Sequence, residues 1–312
     1  MSMRDIVIIT DWSHWVGQTL TRQLALAIQA HPDLHLSSIV QAEPQHFWRQ
    51  RLGHTMKWMV GELVYFCLAD ASLRVQTPAP TSLTHLARHL PGVRVRTGLN
   101  PMHTKNKPVL LSVFWKQRLA PEYLQRFSLC INYHNGAVPD YRGLRATAWS
   151  LYHGAATSGF TWHHMDQGLD TGPVLASGAV PVQPQSTLTE VERAKTKAAV
   201  AVVPELLTLL VQAAPGSPQT QRDKYNKLSD LSKLVDIDNP KTIDGVEVRR
   251  RLRAFGRLRL GNVWISSLRS GPHSTSKSRW ALQLADGYWL PGRCDVLRAT
   301  WSKWRTNLRI RR

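Results

Sequence analysis

The chain has 312 residues, 43% of them hydrophobic, a composition that suits a globular protein with room for two domains and excludes a disordered one. Its three cysteines, Cys67, Cys130 and Cys294, are scattered and show no CxxC or Cys/His spacing, which argues against a disulfide framework and against a zinc site. The formal net charge of +19 points to anionic partners. It is uneven, because sixteen of the 40 Lys and Arg fall within residues 249–312 against only Asp286 and Asp295.

Residues 6–10 read as a buried first strand, with Asp11 and His14 too close behind it for a signal-peptide core, so a cytoplasmic location is expected. A helix follows over 16–30, then a strand over 34–40. Residues 41–70 read as mostly helical and carry Arg49, Arg51 and Lys57. Their most apolar part, 56–69, is too short to span a bilayer, so stable membrane insertion is not expected. A short helix over 81–90 leads to a strand over 93–96. A buried strand over 109–114, a helix over 121–127 and a strand over 129–132 complete a β/α alternation. That order predicts an α/β fold, a doubly wound and mostly parallel sheet.

Ligands of such sheets bind at the carboxyl ends of the strands, which is where Asn132 and His134 fall. Residues 146–153 read as a helix closed by Gly154, and 160–164 and 173–182 as strands. Thr187 and Glu190 open a helix running to about residue 212. The turn-rich stretch 213–221 reads as a linker. The expected domains are therefore 1–212, catalytic, and 222–312, smaller, basic and β-rich, with one helix over 245–255 and strands over 262–268, 279–284 and 288–290.

Asn132 and His134 stand two apart on an extended segment, so they share a face. An amide N–H and an imidazole can donate together to an oxyanion on a carbonyl carbon, and the imidazole can carry a proton. Asp170, between Gly168 and Gly172, is the carboxylate expected to orient His134 and raise its pKa. Phe160, Trp162 and His164 alternate on one strand face and read as core. His163 and His164 adjoin without a third ligand at metal spacing, and no metal is expected. A single glycine, Gly17, follows the first strand where a dinucleotide fingerprint wants three, which disfavours NAD.

The run Asn132-Tyr-His134-Asn-Gly136-Ala-Val-Pro139-Asp-Tyr141-Arg142-Gly143, then Thr157-Ser-Gly159-Phe-Thr161-Trp-His163-His164-Met165-Asp-Gln-Gly-Leu-Asp170-Thr-Gly-Pro173, closely resembles the 10-formyltetrahydrofolate-dependent formyltransferase family. A weaker likeness covers residues 113–124, and Arg253-Ala254-Phe255 is similar to the start of the methionyl-tRNA formyltransferase C-terminal module. The resemblance implies a Rossmann-like formyltransferase domain and 10-formyltetrahydrofolate as co-substrate. It implies Asn132, His134 and Asp170 as the catalytic set. Phe114, Trp115, Gln117 and Leu119 would hold the pterin ring, with Met165 and Asp166 closing over it.

For the acceptor, the stretch 142–150 with Thr161-Trp162-His163 is similar to members that formylate amino sugars on nucleotide carriers or related small amines, an acceptor expected to be phosphorylated. The methionyl-tRNA reading is the alternative, in which Arg249–Arg253, Arg257 and Arg259 contact phosphates and Arg49 and Arg51 form an acceptor-stem loop. Against it stand Asp11-Trp-Ser-His-Trp15 in place of Gly-Thr-Pro-x-Phe, and Asn-Gly-Ala-Val in place of Ser-Leu-Leu after His134. Hydrolysis of the folate, and a nucleic-acid-binding protein with a retired active site, are the remaining alternatives.

Overall fold

Unbroken runs of Ile, Val and Leu, buried on both faces, make the central strands of a sheet. The computed structural model describes residues 3–12, 14–42, 83–99, 106–115, 117–220, 225–239, 242–256, 258–260, 263–265, 281–283 and 289–291. The expected helix over 41–70 lies outside those residues from 43 onward, with Arg49, Arg51 and Lys57, as do Arg257, Cys67 and Cys294, and Gln41 closes a strand instead. Strands β1 (Arg4–Thr10), β2 (Leu34–Gln41), β3 (Arg94–Thr97), β4 (Val109–Val113), β5 (Leu129–His134), β6 (Thr157–His164) and β7 (Val174–Pro181) form one seven-stranded sheet in the order β3-β2-β1-β4-β5-β6-β7. From β3 to β5 every pairing is parallel, and β6 runs antiparallel to β5. The fold is therefore the doubly wound, mostly parallel α/β sheet that the alternation predicts.

Helix α1 (Trp15–Gln29) buries Leu20, Leu24 and Ile28 on one stripe, as its spacing requires, against Ile6, Ile8 and Leu111 of the sheet. Helices α2 (Leu83–Arg88) and α3 (Pro121–Leu124) are shorter than expected, α3 opening on a proline at its first turn. The single helix expected up to about 212 is two, α5 (Leu188–Ala201) and α6 (Val203–Val211). The cause is Pro204, which offers no N–H to the turn before it and is tolerated only in a helix's first turn. Phe160 and Trp162 are fully buried in the main core, and Val7, Ile9, Leu110, Leu119, Tyr123 and Phe127 fill a second cluster.

The chain divides into two compact units. The described residues of the first come from Met1–Arg142, Ser158–Pro181 and Thr189–Lys224. The described residues of the second come from Gly143–Thr157, Val182–Leu188 and the chain from Tyr225 onward. Within the second, α4 (Ala146–Tyr152) packs on α8 (Gly245–Phe255): Trp149 meets Phe255 edge-on at 6.1 Å, and Tyr152 Oη donates to Glu247 Oε1 at 2.9 Å. Asp244 caps α8 by accepting from the Glu247 amide, and Gly256 closes it in the left-handed conformation (φ 76°). Between residues 225 and 239, where no element is expected from the largely polar sequence, Leu228, Leu231 and Leu234 recur at helical spacing and the chain forms α7 (Leu228–Val235). Two antiparallel ribbons complete the described part, β8 (Leu258–Leu260) with β9 (Val263–Ile265), and β10 (Ala281–Gln283) with β11 (Trp289–Pro291).

Candidate active site

Strand β5 extends two residues beyond the apolar run, so Asn132 and His134 sit on the strand itself, pointing to one face. Register places Asn132 beside Ser112 of β4 and His163 of β6. Ser112 Oγ donates to Asn132 Oδ1 at 2.8 Å, and Asn132 Nδ2 meets His163 Nε2 at 3.2 Å. His163 Nδ1 faces the His164 carbonyl at 2.8 Å, so that nitrogen carries the proton and Nε2 accepts from the amide. The amide is thereby fixed in orientation, and one of its two N–H groups is left for a ligand.

His134 is buried at the end of β5, with Nε2 2.7 Å from the Tyr141 carbonyl and Nδ1 3.4 Å from Asp170 Oδ2. Nε2 must donate to that carbonyl, so in the neutral ring Nδ1 is a lone pair aimed at the site. The expectation of a raised pKa is reversed: burial lowers the His134 pKa, and the Asp170 carboxylate and the Tyr141 carbonyl oppose this only in part. At neutral pH His134 is a base with a carboxylate placed to hold the cation it becomes. Asp170 Oδ1 also lies 3.6 Å from His163 Nε2, so the carboxylate stands beside both imidazoles.

Asp170 takes a left-handed backbone conformation (φ 56°) on a loop tied by Asp166, whose Oδ1 accepts from the Gly168 amide and from Thr171 Oγ1. Asp166 is exposed and in these contacts fixes its own loop. A side chain at Gly172 would place Cβ 2.0 Å from the His164 carbonyl oxygen, so only glycine lets the loop return past β6.

Trp115, Leu119 and Met165 gather on the second cluster with Tyr123 and Cys130, whereas Phe114 stacks on His14 at 4.6 Å on the other core and Gln117 is exposed. Trp115 Nε1 and Tyr123 Oη are buried donors without a protein partner. Apolar walls with unsatisfied donors fit a flat heteroaromatic ring bearing acceptors, as in a pterin. Among the described residues no group of three or more His, Cys, Asp or Glu side chains could hold a metal ion. No described helix is long and apolar enough to cross a membrane. A cavity of about 470 Å³ in the second unit, beside Asp236, Asp238 and Glu247, involves none of these groups.

The whole constellation from Phe114 to Asp170 falls within residues 99–207, which match the family described as formyl transferase. Over that segment, about a third of its length, the chain is similar to formyl transferases. It is 34% identical over 112 residues to a methionyl-tRNA formyltransferase of Trichodesmium erythraeum, covering 34% of this chain and 33% of that one. It is 29% identical over 160 residues to a methionyl-tRNA formyltransferase of Gloeothece citriformis, covering 50% and 47%. The chain thus matches at most about half the length of these relatives. In fold it is similar to an N-formyltransferase of Helicobacter canadensis solved with folinic acid and dTDP-3-aminofucose, with a TM-score of 0.59 at 13% identity, covering 93% of this chain and 99% of that one.

Two residues of the formyl transferase segment join the site without a sequence signal that singles them out. His163 is found only once the β5/β6 register is known, although its alternation opposite Trp162 places it on the Thr161 face. Lys195 of α5 is fully buried, its Nζ donating to the carbonyls of Asn135 at 2.9 Å and Gly159 at 3.2 Å. Burial lowers its pKa and the Glu192 carboxylate opposes the shift. The unfolded chain therefore holds this proton at pH values where the folded chain has released it. Stability contributed by this group rises with pH between the lowered value and the ordinary lysine value. Urea midpoints measured across that range should show the rise in the wild type and a flatter slope in Lys195→Met.

Proposed function

We propose that this chain transfers a formyl group from 10-formyltetrahydrofolate to a primary amine, the amino group of a nucleotide-linked sugar or a similar small acceptor. The carrying observation is the meeting of Asn132, His134 and Asp170 in one buried corner of the formyl transferase segment. Trp115, Leu119 and Met165 would hold the pterin ring, and the folate supplies the formyl carbon and the leaving nitrogen. The free N–H of Asn132 meets negative charge developing on the formyl oxygen. As the amine nitrogen bonds to the formyl carbon, His134 takes the amine proton at Nδ1. Asp170 steadies the resulting imidazolium, and Tyr141 keeps the ring from turning. When the carbon–nitrogen bond to folate breaks, His134 returns the proton from Nδ1 to the departing nitrogen. Asn132 and the ring are held before reaction begins, so little reorganisation is left for the chemical step.

The small-acceptor reading is supported by the fate of the basic module. Arg251 pairs with Glu247 at 2.7 Å and donates to the Leu234 carbonyl, and Arg253 donates to the carbonyls of Ser186 and Gln183. Arg259 engages Asp236 through both Nε and Nη2. Three of the arginines counted for a tRNA platform are thus spent within the second unit. The names of the curated relatives favour methionyl-tRNA as the second reading. Tetrahydrofolate release should be followed with dTDP-3-aminofucose or methionyl-tRNA as acceptor, and with none. Turnover with the sugar nucleotide is expected. Turnover with tRNA alone would reverse the order of the two readings, and acceptor-independent release would make the protein a hydrolase. Salt-steep RNA binding without turnover would leave only a binding protein.

A further inference from the structure

The stretch 213–221 reads as a linker, yet its described part is fastened to the loop that carries Asp170. Ser217 and Val174 exchange both main-chain hydrogen bonds at 2.7 Å, and His164 Nε2 meets the Ala214 carbonyl at 3.0 Å. Gln219 makes the closest engagement. Its Nε2 donates to the carbonyl of Asp170 at 3.1 Å and to that of Gly172 at 2.6 Å, and its Oε1 accepts from Nε and Nη2 of the buried Arg142. Arg142 Nη2 also reaches the Thr220 carbonyl at 3.5 Å. One amide side chain therefore uses both of its N–H groups on the Asp170 turn and its oxygen on the guanidinium at the end of the His134 loop.

That turn needs such a clasp. Asp170 is an L-residue at φ 56°, a strained conformation that persists where surrounding contacts over-determine it. The carboxylate has to stand 3.4 Å from His134 and 3.6 Å from His163 at once, and Arg142 directly follows Tyr141, whose carbonyl holds the His134 ring. We infer that Gln219 is a positioning residue that locks the Asp170 turn onto the His134 loop and so places the carboxylate against the catalytic imidazole. This deepens the formyl-transfer reading and, for its effect on turnover, rests on it. No side chain other than an amide of this length gives two donors and an acceptor in these directions.

The test uses Gln219→Met, which keeps length and volume but loses every hydrogen bond, and Gln219→Ala as a second variant, each checked by its thermal midpoint. The His134 ring is titrated by NMR in the full-length protein without substrate, its resonance assigned by comparison with His134→Gln. The Asp170 carboxylate favours the His134 cation, so a displaced carboxylate moves the His134 midpoint to lower pH in both variants. The kcat measured with 10-formyltetrahydrofolate and dTDP-3-aminofucose is expected to fall about 10-fold or more, toward the roughly 100-fold that an ångström of misplacement costs, with KM little changed. An unmoved His134 midpoint in folded variants overturns the inference, whatever the turnover. A shifted midpoint in a protein that transfers no formyl group sustains the positioning role and rejects the reaction instead.

Discussion

Replacing His134 by alanine is expected to lower kcat by about 10²–10⁴-fold, the range of positioned proton transfer. KM for the folate should change little, because the residues that would hold the pterin ring sit on another cluster of the sheet. The direction of the wild-type pH profile follows from the burial of this ring. Below the His134 pKa the ring is already protonated and cannot take a proton from the amine, so activity is lost as pH falls through that value. Burial places the midpoint below the ordinary histidine value. Asp170→Asn removes the charge that opposes this shift, so its acid limb should lie at still lower pH, with kcat reduced because the imidazolium loses its counter-ion. Rapid-mixing measurements of kcat across pH check all three statements. A His134→Ala enzyme with wild-type kcat would remove the base from the mechanism.

Asn132→Ala is expected to cost about 10²–10³-fold in kcat, the loss found when one donor to a developing oxyanion is removed. The amide is held from both sides, by Ser112 and by His163, so its free N–H is directed before substrate arrives. A group that meets charge only in the transition state affects kcat far more than KM. Steady-state kinetics on a variant with an unchanged thermal midpoint decide this. A rise in KM with kcat intact would make Asn132 a binding residue, and near-wild-type turnover would exclude it from the site.

Much of this was legible before the structure. The apolar runs of β1, β4 and β5 and the stripe of α1 carry enough periodicity to give the sheet class. Asn132 and His134 could be paired because strands have a period of two. Asp170 could be joined to them only through its motif, since the 35 residues between it and His134 carry no distance information. His163 needed the antiparallel register of β5 and β6, which local pattern does not specify. Gln219 was hidden for a similar reason: a turn-rich stretch looks the same whether it is free or clasped to a loop 47 residues earlier. The lowered His134 pKa was also out of reach, because the balance between a carboxylate and burial depends on how closely the ring is enclosed. Charge counting overstated the free basic surface, as Arg251, Arg253 and Arg259 are engaged inside the second unit.

Formyl transfer by the Asn132, His134 and Asp170 corner is open to direct measurement. Its most direct test gives the purified wild-type protein and Asn132→Ala 10-formyltetrahydrofolate labelled in the formyl carbon, with dTDP-3-aminofucose, and follows the label. The wild type is expected to move the label into an amide on the sugar with release of one tetrahydrofolate for each, and the variant to do so about 10²–10³-fold more slowly. Label that stays on the folate with every amine acceptor offered, or that moves equally fast in the variant, would contradict that expectation.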